Sequence, residues 1–107
     1  MTFNEICKRA VAKWGVEAQL DQAVEEAAEL IQAINKFKRY NSPWPLIEEM
    51  VDVEIMVGQL KAIVREATGG SNSRMYNRVR EEKLKKVEGK LNNSTSSGLN
   101  TEVSGEE

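Results

Sequence analysis

The chain contains no histidine and only one cysteine, Cys7. An internal disulfide and a zinc site of the usual Cys/His type are therefore excluded, and any bound metal must have oxygen ligands. Only two prolines and 6% aromatic residues occur in 107 residues, a composition that favours helix. A chain of this length forms one domain at most and buries a limited fraction of its surface alone, so we expect self-association.

The chain also lacks a basic excess and a long apolar run. Its net charge is -2, whereas a nucleic-acid binder normally has a strongly basic footprint, so we expect no nucleic-acid partner. No run approaches the ~20 apolar residues of a membrane span, and the first residues do not resemble a signal peptide. We therefore predict a cytoplasmic protein that does not contact membranes. Acidic residues dominate residues 15–60 and basic residues dominate 74–90, an asymmetry suited to binding a metal and a polyphosphate together.

Apolar periodicity predicts an all-α fold of four helices. Thr2 and Glu5 have the spacing of a capping box, which predicts a short first helix that ends at Gly15. The second helix is predicted from about Glu17 to Tyr40. Two prolines after Asn41 end the second helix and suit the first turn of a third helix, which is predicted from about Trp44 to about Thr68.

The third helix is apolar on nearly every side, which is typical of a central element or of a dimer interface. After a glycine and serine turn, a fourth helix is predicted to reach about Leu91. Residues 92–107 have little to bury and are predicted to be a disordered tail. The sequence thus predicts one domain over residues 1–91, a four-helix bundle completed by oligomerisation.

Two pairs of acidic residues recur at a spacing of three on consecutive helices. Glu26 and Glu29 form one pair, and Glu49 and Asp52 form the other. Residues three apart lie on the same face of a helix, and two antiparallel helices can bring both pairs together. Glu49 falls within the main apolar face of its helix, where an unpaired charge is costly. Oxygen ligands of this kind suit Mg²⁺, with Mn²⁺ as an alternative, although a single Glu-x-x-Glu is usually only a solvated face.

These residues, with Trp14, Gly15 and Gln19 before them, resemble the MazG-like superfamily of all-α nucleotide pyrophosphohydrolases. The residues that carry the resemblance are the stretch Glu25-Glu26-Ala27-Ala28-Glu29 and the stretch Glu49-Met50-Val51-Asp52, which follow the pattern EExxE, a spacer and ExxD. The resemblance covers roughly residues 10 to 91 and is strongest to the compact single-domain proteins of bacteria and phages.

The resemblance implies Mg²⁺-dependent hydrolysis of a nucleoside triphosphate, often a deoxynucleotide or a noncanonical one, to the monophosphate and pyrophosphate. Such an activity removes unwanted nucleoside triphosphates from the nucleotide pool, a role called house-cleaning. The metal ligands of the family fall on Glu26, Glu29, Glu49 and Asp52. The implied reaction is a metal-assisted attack of water on a phosphorus atom, in which Glu25 or one of the ligands, such as Glu26, orients the water. A homodimer or homotetramer is also implied.

Substrate-binding residues are predicted from two parts of the chain. Family members often place basic residues of the last helix against the phosphates, and Lys83, with Arg80, is the nearest match here. Trp14 is a candidate to stack on the base, and Gln19, two turns before Glu26, is a candidate to hydrogen-bond to it.

Two other classes of function stay open. In one, the chain has the same fold without catalysis and serves as a dimeric helical scaffold that binds metal weakly or not at all. In the other, it is a helical regulator that binds a partner through the apolar third helix. The sequence does not distinguish a narrow nucleotide specificity from a broad one.

Overall fold

The computed structural model describes residues 1–70 and 72–97 of the chain, and within this part every long element is a helix. The four helices are α1 (Phe3–Trp14), α2 (Val16–Tyr40), α3 (Pro43–Ala67) and α4 (Asn72–Ser97). No strand occurs among these residues, so the all-α prediction with four helices is confirmed for them. The chain divides into two compact units, Met1–Gly70 with α1, α2 and α3, and a second unit from Ser71 onward that contains α4.

Helix α1 begins with the predicted capping box. The backbone N–H of Glu5 donates to Thr2 Oγ1 over 3.1 Å, and the backbone N–H of Thr2 donates to Glu5 Oε1 over 2.8 Å. These two bonds satisfy amide groups that have no partner within the helix. Gly15 ends α1 with φ of 94°, a conformation that side chains disfavour, and α2 starts at the next residue.

A two-residue link joins α2 to α3. Asn41 is left-handed, with φ of 55°, and its N–H bonds to the carbonyl of Phe37 as the cap of α2. Ser42 is extended, and Pro43 opens α3 at a position where its missing N–H costs nothing. Because α2 and α3 contact each other across so short a link, they form an antiparallel hairpin.

Helix α2 turns a face of mixed polarity towards its own chain. The buried residues of α2 are Gln19 and Ala33, which lie on the same face as Glu26. Several large apolar side chains of α2 are exposed instead, with Val24 exposed to 70% and Ile31 to 60%. The covered face of α2 therefore combines polar residues with small and apolar ones, and another apolar face of the same helix is exposed.

Helix α3 is the central element of the first unit, because its contacts with α1 and with α2 are both more extensive than the contacts between α1 and α2. The buried apolar side chains of the described residues lie on all three of these helices; they are Cys7, Ala10, Val11, Ala33 and Met56. Cys7 is 1% exposed, and its thiol lies 3.9 Å from the carbonyl oxygen of Ile55 in α3. Cys7 therefore packs as a small apolar residue in this interior.

Helix α4 belongs to the second unit and continues through Ser97, past the predicted end at Leu91. Residues 92–97, which the sequence assigns to the disordered tail, are therefore helical, and the remainder of the predicted tail, residues 98–107, lies outside the described residues. The predicted domain of residues 1–91 spans both units and stays a prediction. Within the described part of the chain, no helix combines the length and the apolar character needed to cross a membrane.

Candidate metal centre

Three carboxylates meet between α2 and α3. Glu26 comes from α2, and Glu49 and Asp52 come from successive turns of α3. One carboxylate oxygen of each residue lies within 4.8 Å of the other two. The hairpin thus brings one member of the first acidic pair together with both members of the second.

The carboxylates of Glu26 and Glu49 are partly shielded from solvent. Both residues are half-buried, and Oε1 of each is fully buried with no hydrogen-bond partner among the described residues. A buried carboxylate oxygen without a partner is unfavourable, and polar groups of this kind are normally satisfied by a hydrogen bond or an ion. The two oxygens therefore need a positive or hydrogen-bonding group that the described residues do not supply.

The pKa of Glu49 is affected by its burial and by the neighbouring carboxylates. Its pKa is raised above the ordinary value, first by burial and then by the negative charges of Glu29, Asp52 and Glu26, with a side-chain hydrogen bond to Glu29 adding to the effect. Glu29 thus lies near enough to influence Glu49, although it does not belong to the three-residue cluster. Repulsion between like charges would be relieved by a cation bound among them.

The donor set is chemically suited to a hard divalent cation. All ligand atoms are carboxylate oxygens, and the chain has no histidine to offer. Mg²⁺ and Mn²⁺ prefer such ligands, and Mg²⁺ commonly takes a few carboxylates together with water and phosphate oxygens. The unpartnered oxygens of Glu26 and Glu49 fit this requirement because they provide buried acceptor atoms on both helices.

Two glutamines, Gln22 of α2 and Gln59 of α3, were not assigned a role from the sequence. The side-chain amide of Gln22 donates a hydrogen bond of 3.0 Å to Oε2 of Glu26. Gln59 is 8% exposed, and its Oε1 is buried without a partner among the described residues. The spacing offered a signal for Gln22 alone, since it lies four residues before Glu26 on the same face of α2.

The other predicted site residues lie outside the three-carboxylate cluster. Glu25 is exposed on α2, Gln19 is 7% exposed at the start of α2, and Trp14 is 59% exposed at the end of α1. Arg80 and Lys83 are exposed on α4, in the second unit. The roles predicted for these five residues, and the metal-ligand role of Glu29, stay predictions.

Comparison of the chain with protein-family models, with curated proteins and with solved structures found no match.

Proposed function

We propose that the chain is a Mg²⁺-dependent nucleoside triphosphate pyrophosphohydrolase of the MazG-like kind. The observation that supports this most is the meeting of Glu26 with Glu49 and Asp52, because two of these residues carry buried oxygens without partners. The sequence pattern that resembles the family supplies the nature of the reaction. Hydrolysis would break the bond between the first and second phosphates and release a nucleoside monophosphate and pyrophosphate.

In this proposal Glu26, Glu49 and Asp52, with Glu29 beside them, hold the cation. When bound, Mg²⁺ would offset the negative charge of the triphosphate and lower the pKa of the attacking water. Glu25, or a carboxylate of the cluster such as Glu26, orients that water and accepts its proton. The half-buried position of Glu49 limits the access of bulk solvent to the cluster, which strengthens electrostatic interactions there.

Substrate binding is the next part of the proposal. Gln19 and Trp14 would contact the base, as their positions before Glu26 suggest, and the phosphate-binding role of Arg80 and Lys83 stays the prediction that the resemblance implies. Trp14 has a ring that is more than half exposed and is therefore accessible for stacking on a base. A deoxynucleotide or a noncanonical nucleotide in the cytoplasm is the substrate that we propose.

The exposed apolar face of α2 supports the proposal of a homodimer or homotetramer. This face is formed by exposed apolar residues that follow one another three or four positions apart along α2; they are Leu20, Val24, Ala27, Ile31 and Ile34. Large exposed apolar patches mark interaction surfaces, and so short a chain has little other core. A second copy of the chain would bury these side chains and stabilise the hairpin that carries the carboxylates.

The test is pyrophosphate release from a panel of canonical and modified nucleoside triphosphates, with Mg²⁺ and with EDTA. Glu49→Gln removes one charge of the cluster, and Glu48→Gln is its matched control because Glu48 is the exposed neighbour outside the cluster. We expect metal-dependent release by the wild type and by Glu48→Gln, and a loss of at least about 100-fold for Glu49→Gln. Full activity of Glu49→Gln would refute the site.

The alternative is a scaffold without catalysis, and the exposed apolar face of α2 is the observation that favours it. If the chain is such a scaffold, we expect no pyrophosphate release from any nucleotide and no increase in its melting temperature with Mg²⁺. A ligand that binds only the folded state raises stability, so a metal-dependent increase would identify a real cation site even if none of the tested nucleotides were a substrate.

A further inference from the structure

The two oxygens of the Glu26 carboxylate have different surroundings. Oε2 accepts a hydrogen bond of 3.0 Å from Nε2 of Gln22, one turn earlier on α2. Oε1 is fully buried, lacks a partner among the described residues, and belongs to the residue that meets Glu49 and Asp52. Gln22 itself is exposed, so the carboxylate is held from its outer side.

We propose that Gln22 is a positioning residue that fixes the Glu26 carboxylate so that Oε1 is presented to the cation. This inference rests on the proposed function, since it requires a metal at the cluster. A hydrogen bond to one oxygen restricts rotation about the last side-chain bond of Glu26 and leaves the other oxygen free to coordinate. Partners of this kind hold ligands in the right orientation, and their loss typically weakens metal binding 10–100-fold.

The amide of glutamine is suited to this position. It donates a hydrogen bond without bringing a charge, so it does not compete with the cation for Glu26 as a lysine or arginine would. A pair of residues four apart on an exposed helix also forms such bonds merely as a surface contact, which adds little to stability. The two roles differ in what the loss of the bond changes, because only a positioning residue affects the affinity for metal.

The experiment measures the binding of Mn²⁺ alone to the full chain, by calorimetry and by the electron paramagnetic resonance signal of free Mn²⁺. Gln22→Met keeps the length of the side chain and removes the donor, and Gln22→Ala removes the donor with a different shape. Gln32→Met is the matched control, because Gln32 is also exposed on α2 but lies outside the cluster. Circular dichroism confirms that each variant keeps its helix content.

We expect the dissociation constant for Mn²⁺ to increase 10–100-fold in both Gln22 variants and to be unchanged in Gln32→Met. In nucleotide hydrolysis, the apparent constant for Mg²⁺ should rise by a similar factor, while kcat at saturating Mg²⁺ should recover. Wild-type affinity in both Gln22 variants would overturn the positioning role and leave the proposed function intact. If the wild type bound no Mn²⁺, both proposals would fail.

Discussion

Gly58 of α3 and Phe3 of α1 lie so close together that a Cβ atom built on Gly58 would be 2.6 Å from Cε2 and from Cζ of the Phe3 ring. The same Cβ would be 2.7 Å from Sγ of Cys7. Non-bonded contacts of a Cβ atom are essentially never this short, so a side chain at position 58 requires a neighbouring group to move. The phenyl ring is about half exposed and can rotate away, whereas Cys7 is buried and cannot.

Gly58→Ala should therefore separate α1 from α3 and destabilise the first unit. Alanine gains up to about 1 kcal/mol of helix propensity over glycine, while overpacking a tight contact costs about 1–3 kcal/mol. We expect a net loss of about 1–2 kcal/mol in the free energy of unfolding, measured by urea denaturation. Gly89→Ala in α4 is the control, because a Cβ there meets nothing within 4 Å and the variant should gain helix propensity only. Equal stabilisation by both substitutions would contradict the tight contact.

The raised pKa of Glu49 predicts how stability depends on pH when metal is removed with EDTA. A carboxyl group whose pKa is higher in the folded than in the unfolded state binds its proton more tightly in the folded state. Its contribution to stability is therefore full below the unfolded pKa, near 4.5, and is lost as the pH rises through the folded pKa. At neutral pH, Glu49 should destabilise the metal-free protein.

Glu49→Gln should accordingly be more stable than the wild type at pH 7 in EDTA, with the difference shrinking towards pH 4. Urea denaturation at a series of pH values measures this difference, and saturating Mg²⁺ should reverse its sign at pH 7 by stabilising only the wild type. Glu48→Gln, at an exposed position, should show neither effect. A difference that does not change with pH would contradict the repulsion between Glu49 and its acidic neighbours.

The unpartnered oxygen of Gln59 predicts a stabilising substitution. Gln59→Met removes a buried acceptor that has no hydrogen bond among the described residues and keeps the length of the side chain. An unsatisfied buried polar group costs about 1–3 kcal/mol, so the variant should gain roughly 1 kcal/mol in unfolding free energy. Thermal denaturation would measure the gain, and destabilisation instead would mean that Gln59 has a polar partner in solution.

Burial of Cys7 predicts a thiol that reacts slowly in the folded protein. Burial raises the pKa of its thiol, which lowers the fraction of reactive thiolate at any given pH, and the side chain is only 1% exposed. Modification by Ellman's reagent should be far slower for the native chain than for the chain in urea, and it should speed up as the pH increases. Equally fast modification in both states would show that α1 is not held against α3.

The apolar face of α2 predicts an assembly that a charge disrupts. Val24→Lys places a charge at the most exposed large apolar residue of this face, which is 70% exposed. We expect the variant to have the mass of a single chain in light scattering, whereas the wild type and the exposed-position control Gln32→Lys should have the mass of a dimer or tetramer. An unchanged mass would place the contact between copies elsewhere.

Local sequence signals predicted the helices better than they predicted the packing between them. The capping residues Thr2 and Glu5, the breaks at Gly15 and Pro43, and the apolar period placed the first three helices within one or two residues. The apolar stripe of α2 gave no sign that it would face outward, because a single-chain pattern does not show which face meets the same chain. The end of α4 was also missed, since Asn, Ser and Thr disfavour helix only weakly and do not set a boundary.

The candidate site was predictable where it depends on spacing along one helix, and not where it depends on packing between helices. Spacing alone pairs Glu49 with Asp52 on one helix face, and the structure places Glu26 beside them. The buried state of Gln59 depends on how three helices meet, which no local spacing shows. The hydrogen bond from Gln22 depends on a rotamer, although its distance of four residues from Glu26 permits it.

The short link at Asn41 and Ser42 has a consequence for the energetics of a bound cation. A metal that joins α2 to α3 acts as a cross-link. The formation of a cross-link normally includes the entropic cost of closing the loop between the two joined residues. Here the left-handed turn at Asn41 has already brought the two helices together during folding. The binding of a cation therefore carries no further cost of loop closure, and its free energy comes from neutralising the carboxylate charges. The hairpin is preorganised for the cation.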